Sequence, residues 1–225
     1  MSGLIYYLAT LFNDDLILKN IKFNSLGIEM FFGKYSYFIT ILCVLLLINA
    51  LNMFDGINLQ SGLYLLTIFL IFFIKGINQI FSLLMIISLF FFIYLNYKNK
   101  LFLGNSGIWF CSFYLGCTLI SSHNDNLINV EEVLVILLIP GLDMFRLFVQ
   151  RILSKKNPFK PDRNHIHHIL SKSFSNLQTV FIIFACYFVP IIIFYLFENF
   201  IISLMLILVS YIFVITSFSK VRFSK

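Results

Sequence analysis

Apolar residues fall in long unbroken runs along this chain, separated by short polar breaks. The runs at 37–53, 63–74, 80–97, 108–121, 130–149, 177–197 and 201–218 predict seven transmembrane helices, because a span needs about 20 mostly apolar residues. They show no period-2 alternation, which argues against an outer-membrane barrel. A further apolar run at 4–12 has only nine residues and reads as the tail of a helix that begins upstream. Residues 13–36 are polar to mixed, and the partial alternation within 16–23 fits a small hairpin or an irregular loop. Pro140-Gly141 interrupts the fifth span. Proline removes a backbone donor, so a kink or a broken helix is expected there. The predicted fold is all-α: a polytopic bundle of about seven full spans plus a partial first helix. With no internal repeat and no low-complexity linker, residues 1–225 are expected to form one domain.

Composition supports the membrane class. Of 225 residues, 60% are hydrophobic and 12% charged, with a mean hydropathy of +0.94. A soluble domain carries about 25% charged residues, and its core could not hide this much apolar surface. Cys43, Cys111, Cys117 and Cys186 lie in apolar segments without metal-ligand spacing and read as small buried hydrophobes. The start does not read as a cleavable signal peptide: it lacks a basic n-region, and Asp14-Asp15 follows the first apolar run.

The formal charge of +6 has no soluble basic domain to explain it, so nucleic acid is a poor partner. Topology explains it better. Suppose the Asp55 turn, the Lys98 loop, the histidine loop and the C-terminus share one side. That side then holds all but Lys19, Lys22, Lys34 and Lys75 of the 16 basic residues. Positive residues favour the cytoplasmic face, which places these loops in the cytoplasm and Asp14-Asp15 outside. Of the ten acidic residues, only Asp55, Asp143 and Asp162 are then inside, each beside an unusual motif.

Three polar motifs fall on that face. In NALNMFDGINLQS (49–61), Asn49, Asn52 and Asp55 recur every three residues and share a helix side. Amides at membrane depth are costly unless paired; they serve either a polar site or hydrogen bonding between helices. GNSG at 104–107 opens a span. Its small residues could offer backbone N–H groups to phosphate or form a plain turn with a serine cap. NPFKPDRNHIHHIL (157–170) carries three of the four histidines. A zinc site lacks a nearby cysteine or suitable carboxylate. A solvated basic loop and an anionic-substrate site remain, with arginine and histidine as charge-assisted donors in the second case.

These three motifs, in this order, resemble the polyprenyl-phosphate N-acetylhexosamine-1-phosphate transferases, within the superfamily of the phospho-N-acetylmuramoyl-pentapeptide transferases. The likeness runs from about residue 4 to the end. It implies a magnesium-dependent phosphoryl transfer in a bacterial inner membrane: polyprenyl phosphate takes N-acetylhexosamine-1-phosphate from a UDP-sugar, and UMP leaves. It further implies Asn52, Asp55 and Asn105 as Mg2+ ligands, and Asp55, His165, His167 and His168 as catalytic residues. Asn49, Asn58, Ser106, Lys160 and Arg163 would bind substrate, and the family often forms homodimers. The product would start a cell-surface polysaccharide.

The chain departs from the family pattern at two acids. Asn105 stands where the family's GDxG motif has aspartate, and Asn58 replaces the second acid of DGxDG. The family also carries a cytoplasmic Asp-Asp pair two spans before its first motif, and Asp14-Asp15 does not fit that place. The sequence therefore reads as N-terminally truncated. Alone it is expected to be inactive or very weak, with a non-catalytic protein that binds polyprenyl phosphate or a partner transferase as the alternative.

Overall fold

The computed structural model describes residues 14–155, 157 and 164–219; the apolar run at 4–12 lies outside them. Eight helices make up the described fold: α1 (Ser36–Phe54), α2 (Gln60–Ile74), α3 (Gln79–Tyr97), α4 (Gly104–Asn124), α5 (Val130–Leu153), α6 (Ile166–Leu170), α7 (Asn176–Phe197) and α8 (Phe200–Phe218). The mixed segment before α1 forms an antiparallel hairpin of β1 (Asn20–Phe23) and β2 (Ile28–Phe31), with Asn20 opposite Phe31 and Lys22 opposite Glu29. The protein is an all-α polytopic membrane protein. α1 with its preceding turn, α3, α7 and α8 are long and apolar enough to cross a bilayer. Their outward side chains, such as Phe90, Phe91, Val209 and Phe213, are exposed, as lipid contact requires.

Backbone geometry explains where each helix stops and starts. α2 ends where Gly76 takes φ +78° and Ile77 N–H reaches back to Phe72 O at 2.8 Å, a left-handed cap that glycine permits. α3 and α4 close with the same backward bond, from Lys100 N–H to Leu95 O and from Leu127 N–H to Ser122 O. α7 starts from a capping box between Ser175 and Gln178. A short turn at Glu198-Asn199 folds α8 back along α7, with Asn199 capping it.

α2 is the centre of the bundle. With 15 residues it is about 22 Å long, short of a full bilayer, and Leu65, Phe69 and Phe72 in it have no exposed surface. It packs along α3 and touches α7, while α1 lies along α4 and α5.

The predicted break at Pro140 does not occur: α5 is helical from Val130 to Leu153. Pro140 cannot donate to Ile136 O, its partner in a regular helix. The Tyr64 hydroxyl donates to that carbonyl instead, at 2.8 Å, so the freed acceptor is satisfied by a neighbouring helix. Tyr64 itself is held edge-on by Tyr187, at 5.1 Å between centroids. Tyr64→Phe should lower stability by about 1–2 kcal/mol by orphaning a buried carbonyl. Adding Pro140→Ala should restore part of the loss, because an alanine at that position brings its own N–H; thermal melts of the single and double variants in detergent check this.

Two ends of the bundle are distinct. Residues 14–31 cover one end. Leu18 N–H donates to Thr40 Oγ1 near the start of α1, Asn124 at the end of α4 donates to Asp15 O and Ile17 O, and Ser25 donates to Glu131 at the start of α5. The Asp55 turn, the 98–103 loop, the start of α4 and α6 gather at the other.

Candidate active site

Asp55 terminates α1. Its N–H closes the last turn onto Leu51 O at 3.0 Å, and its backbone leaves the helical region. The carboxylate is half-buried, and Oδ1 accepts a short hydrogen bond from the Ser61 hydroxyl. Burial raises the Asp55 pKa above the ordinary carboxylate value, and the Ser61 bond partly offsets that.

Gly56 follows, and its lack of a side chain is essential. A Cβ placed there would stand 1.9 Å from His167 Nε2 and 2.1 Å from its Cε1. The first and third sequence motifs are therefore in direct contact, with an imidazole lying on the backbone of the Asp55-Gly56 turn.

The rest of that turn is held by amides. Leu59 adopts φ +73°, a conformation that costs a non-glycine residue about 1–2 kcal/mol. Its N–H donates to Asn96 Oδ1 at 2.6 Å, Asn58 Nδ2 donates to Asn99 Oδ1 at 2.5 Å, and Asn96 Nδ2 donates to Leu101 O at 2.7 Å. Asn58, expected to touch substrate, is thus bound to the 98–103 loop and fixes the turn's shape.

The histidines are fixed by α5. Asp143 is 3% exposed and accepts from four groups. His165 Nδ1 lies 2.8 Å from Oδ2, and Ile166 N–H approaches both oxygens at 3.2 and 3.3 Å. Arg146 Nη2 donates at 2.9 Å and Tyr211 OH at 3.0 Å. Arg146 also donates through Nε to Tyr211 OH at 2.7 Å and through Nη2 to Asn164 O at 2.6 Å. α6 is sealed against the bundle by Ile166, Ile169 and Leu170, all buried. His165 stacks parallel to His167 at 5.5 Å, and His168 lies 4.3 Å from His167.

His167 is 1% exposed, and Nδ1 has no hydrogen-bond partner among the described residues. Burial, followed by the neighbouring His168 and His165, pushes its pKa down to about 3. His167 is therefore neutral at pH 7. Its folded pKa lies below the ordinary value of about 6.5, so between those values only the unfolded chain takes up the proton. Stability should fall as pH drops through 6.5 toward 3. Melting temperatures at pH 7.5 and 5.0 check this: wild type should lose more than His167→Asn, and equal losses would count against it.

Other expected residues are placed less tightly. Asn52 is half-buried one turn before Asp55, whereas Asn49 is exposed and its amide donates to Leu45 O at 2.9 Å. Asn105 and Ser106 are exposed in the first turn of α4, at the same end of the bundle. Lys160 and Arg163 lie outside the described residues. The expected site did not include Asp143, Arg146 or Tyr211. Asp143 and Arg146 carried a signal, since ionisable residues three apart in an apolar helix are by default functional. Tyr211 carried none.

An apolar cavity of about 460 Å³ lies between α1, α4 and α5, lined by Val44, Leu47, Leu137, Leu138, Pro140 and Phe145 among others. Met144 and Phe145 in its wall flank Asp143 and Arg146 in sequence.

A family model described as glycosyl transferase family 4 matches residues 3–123. The chain belongs to glycosyl transferase family 4. It is similar to the undecaprenyl-phosphate alpha-N-acetylglucosaminyl 1-phosphate transferase of Escherichia coli O157:H7, 30% identical over 186 residues that cover 75% of this chain and 51% of that protein. The proteins of the same name from Yersinia pestis (29% over 168 residues, 69% of this chain and 46% of the relative) and Thermotoga maritima (30% over 145 residues, 61% and 44%) are similar too. The chain spans about half the length of the curated relatives it matches. No solved structure matches it.

Proposed function

We propose that this chain forms the histidine-bearing part of a transferase that moves N-acetylhexosamine-1-phosphate from a UDP-sugar to polyprenyl phosphate in a bacterial inner membrane. The observation that carries this reading is the contact of His167 with Gly56, which joins a carboxylate turn to an imidazole cluster at one end of a lipid-facing bundle. A phosphate oxygen of the polyprenyl phosphate attacks the sugar-linked phosphorus. The bond from that phosphorus to the UMP oxygen breaks, and UMP departs with the electron pair. Basic residues concentrate at this end of the chain, which favours its facing the cytoplasm. The 460 Å³ apolar cavity between α1, α4 and α5 offers room for isoprenoid units. Release of a lipid-linked sugar at that face would begin a cell-surface polysaccharide.

The residues fit Mg2+. Among the described residues no three His, Cys, Asp or Glu side chains form a cage, and Mg2+ typically takes one or two carboxylates with water and phosphate completing its shell. Asp55 would hold it, with Asn52 and Asn105 as neutral oxygen ligands; bound there, it would neutralise charge on the diphosphate. Asp55 needs to be ionised for this; burial raises its pKa, and the Ser61 hydrogen bond partly offsets that. The histidines and Arg163 would bind the diphosphate.

A second reading is favoured by Asn105, which stands where the family has an acid: a non-catalytic protein that binds polyprenyl phosphate or a partner transferase. Membranes containing the full chain, incubated with polyprenyl phosphate, Mg2+ and labelled UDP-N-acetylglucosamine or UDP-N-acetylgalactosamine, separate the two. Lipid-linked label that is lost in His167→Ala supports the transferase. Saturable binding of polyprenyl phosphate with no label transferred supports the second reading.

A further inference from the structure

We infer that Asp143 and Tyr211 are positioning residues that set the ring orientation and tautomer of His165, making the last helix, α8, part of the site's machinery. The inference rests on the transferase reading for its meaning but on separate atoms for its evidence. Asp143 lies in the middle of α5 and Tyr211 in the middle of α8, 68 residues apart, and their side chains meet at 3.0 Å. Both are buried.

Each hydrogen bond in this cluster has one workable direction. Arg146 can only donate, so its Nε–H points at the Tyr211 oxygen, and the Tyr211 hydroxyl proton is left for Asp143. Asp143 Oδ1 is then occupied by Tyr211 and Arg146, and Oδ2 is directed to His165 Nδ1 at 2.8 Å. An ionised carboxylate accepts only, so His165 carries its proton on Nδ1 and turns Nε2 away from α5. A carboxylate that holds a histidine in this way fixes tautomer and orientation together. The Ile166 N–H bond to the same carboxylate locks the backbone beside that ring, so the imidazole has little freedom left. Its Nε2 is then left as an acceptor, able to take a hydrogen bond or a proton from a substrate group. Tyr211 acts at one remove: without its hydroxyl, Arg146 Nε loses its acceptor and Asp143 Oδ1 loses one donor, so the carboxylate that orients His165 is held less firmly.

The test uses the full chain with ¹⁵N-labelled histidine, the His165 signals being identified by their loss in His165→Gln. Wild type should show His165 as the Nδ1–H tautomer. Tyr211→Phe, which keeps the ring packing, should shift it toward a tautomer mixture, and Asp143→Asn should shift it further. Where label transfer is measurable, both variants should lower kcat by about 10–100-fold, with the KM for the UDP-sugar moving less than about threefold. Thr216→Val, on α8 but outside the cluster, should change neither quantity. The inference is overturned if the tautomer stays as in wild type in Asp143→Asn and Tyr211→Phe, or if activity falls only in proportion to the folded fraction. Turnover by the wild type bears on the transferase reading alone, and the tautomer measurement decides this inference either way.

Discussion

Gly56→Ala should cut the proposed sugar-phosphate transfer about a hundredfold while leaving the bundle folded. The added methyl carbon would sit 1.9 Å from one ring atom of His167 and 2.6 Å from a third. The usual escape, swinging the flexible end of a side chain aside, is closed here. The ring is 1% exposed and sits between His165 and His168. Its backbone belongs to α6, pinned by buried Ile166 and Leu170 and by the Ile166 N–H bond to Asp143. The turn is equally constrained, because Leu59 and Asn58 are tied to Asn96 and Asn99. Either the Asp55 carboxylate or the histidine cluster must move by about an ångström or more. Misplacement on that scale costs roughly a hundredfold in rate, against an overpacking cost of about 1–3 kcal/mol in stability. Initial rates of label transfer at matched folded concentration, with a thermal melt of the same sample, check both halves. A Gly56→Ala protein with wild-type rates would show that the Asp55 turn and His167 do not work as one site.

The contact between Gly56 and His167 shows what a linear reading can and cannot supply. The apolar runs placed all seven long helices of the described fold within a few residues, because continuous hydrocarbon in a bilayer leaves the backbone no alternative to a helix. Charge asymmetry put the Asp55 turn and the histidine loop at one end, and the structure brings them into contact there. Pro140 was read as a kink or a break and lies in a continuous helix, since the sequence shows a missing donor but not the hydroxyl of Tyr64, far earlier in the chain, that compensates for it. Asn58, expected to touch substrate, also donates to Asn99, a partner the sequence did not show. Tyr211 was illegible, as its role exists only through the packing of α8 against α5. Asp143 lay between these cases: a charge in an apolar helix demands a partner, but the sequence could not say that His165 was the one.

Lys75→Met, at the opposite end, should be the most destabilising single change away from the site. Lys75 Nζ donates to Glu132 Oε2 at 2.6 Å and to Leu127 O at 3.0 Å. Glu132 is 2% exposed, and its other oxygen accepts a short bond from the Tyr195 hydroxyl. The three residues join the end of α2, the start of α5 and the end of α7. Removing the lysine leaves a buried carboxylate with one neutral donor. Breaking a buried pair from one side costs about 3–5 kcal/mol; the lower end applies, because Lys75 is partly exposed and Tyr195 keeps its bond. Adding Glu132→Gln should return a substantial share of the loss, since the penalty is the uncompensated charge and not the missing attraction. The coupling should change little between low and high salt, as buried pairs are poorly screened. Denaturation of the two single variants and the double variant in detergent measures all of this, and additive losses would refute it. The pair also bears on orientation. Lys75 is one of only four basic residues that fall on the side opposite the histidine loop, and with Glu132 it forms a neutral unit. Arg146 is paired with Asp143 in the same way at the Asp55 end, so the pairing leaves the difference between the two ends unchanged.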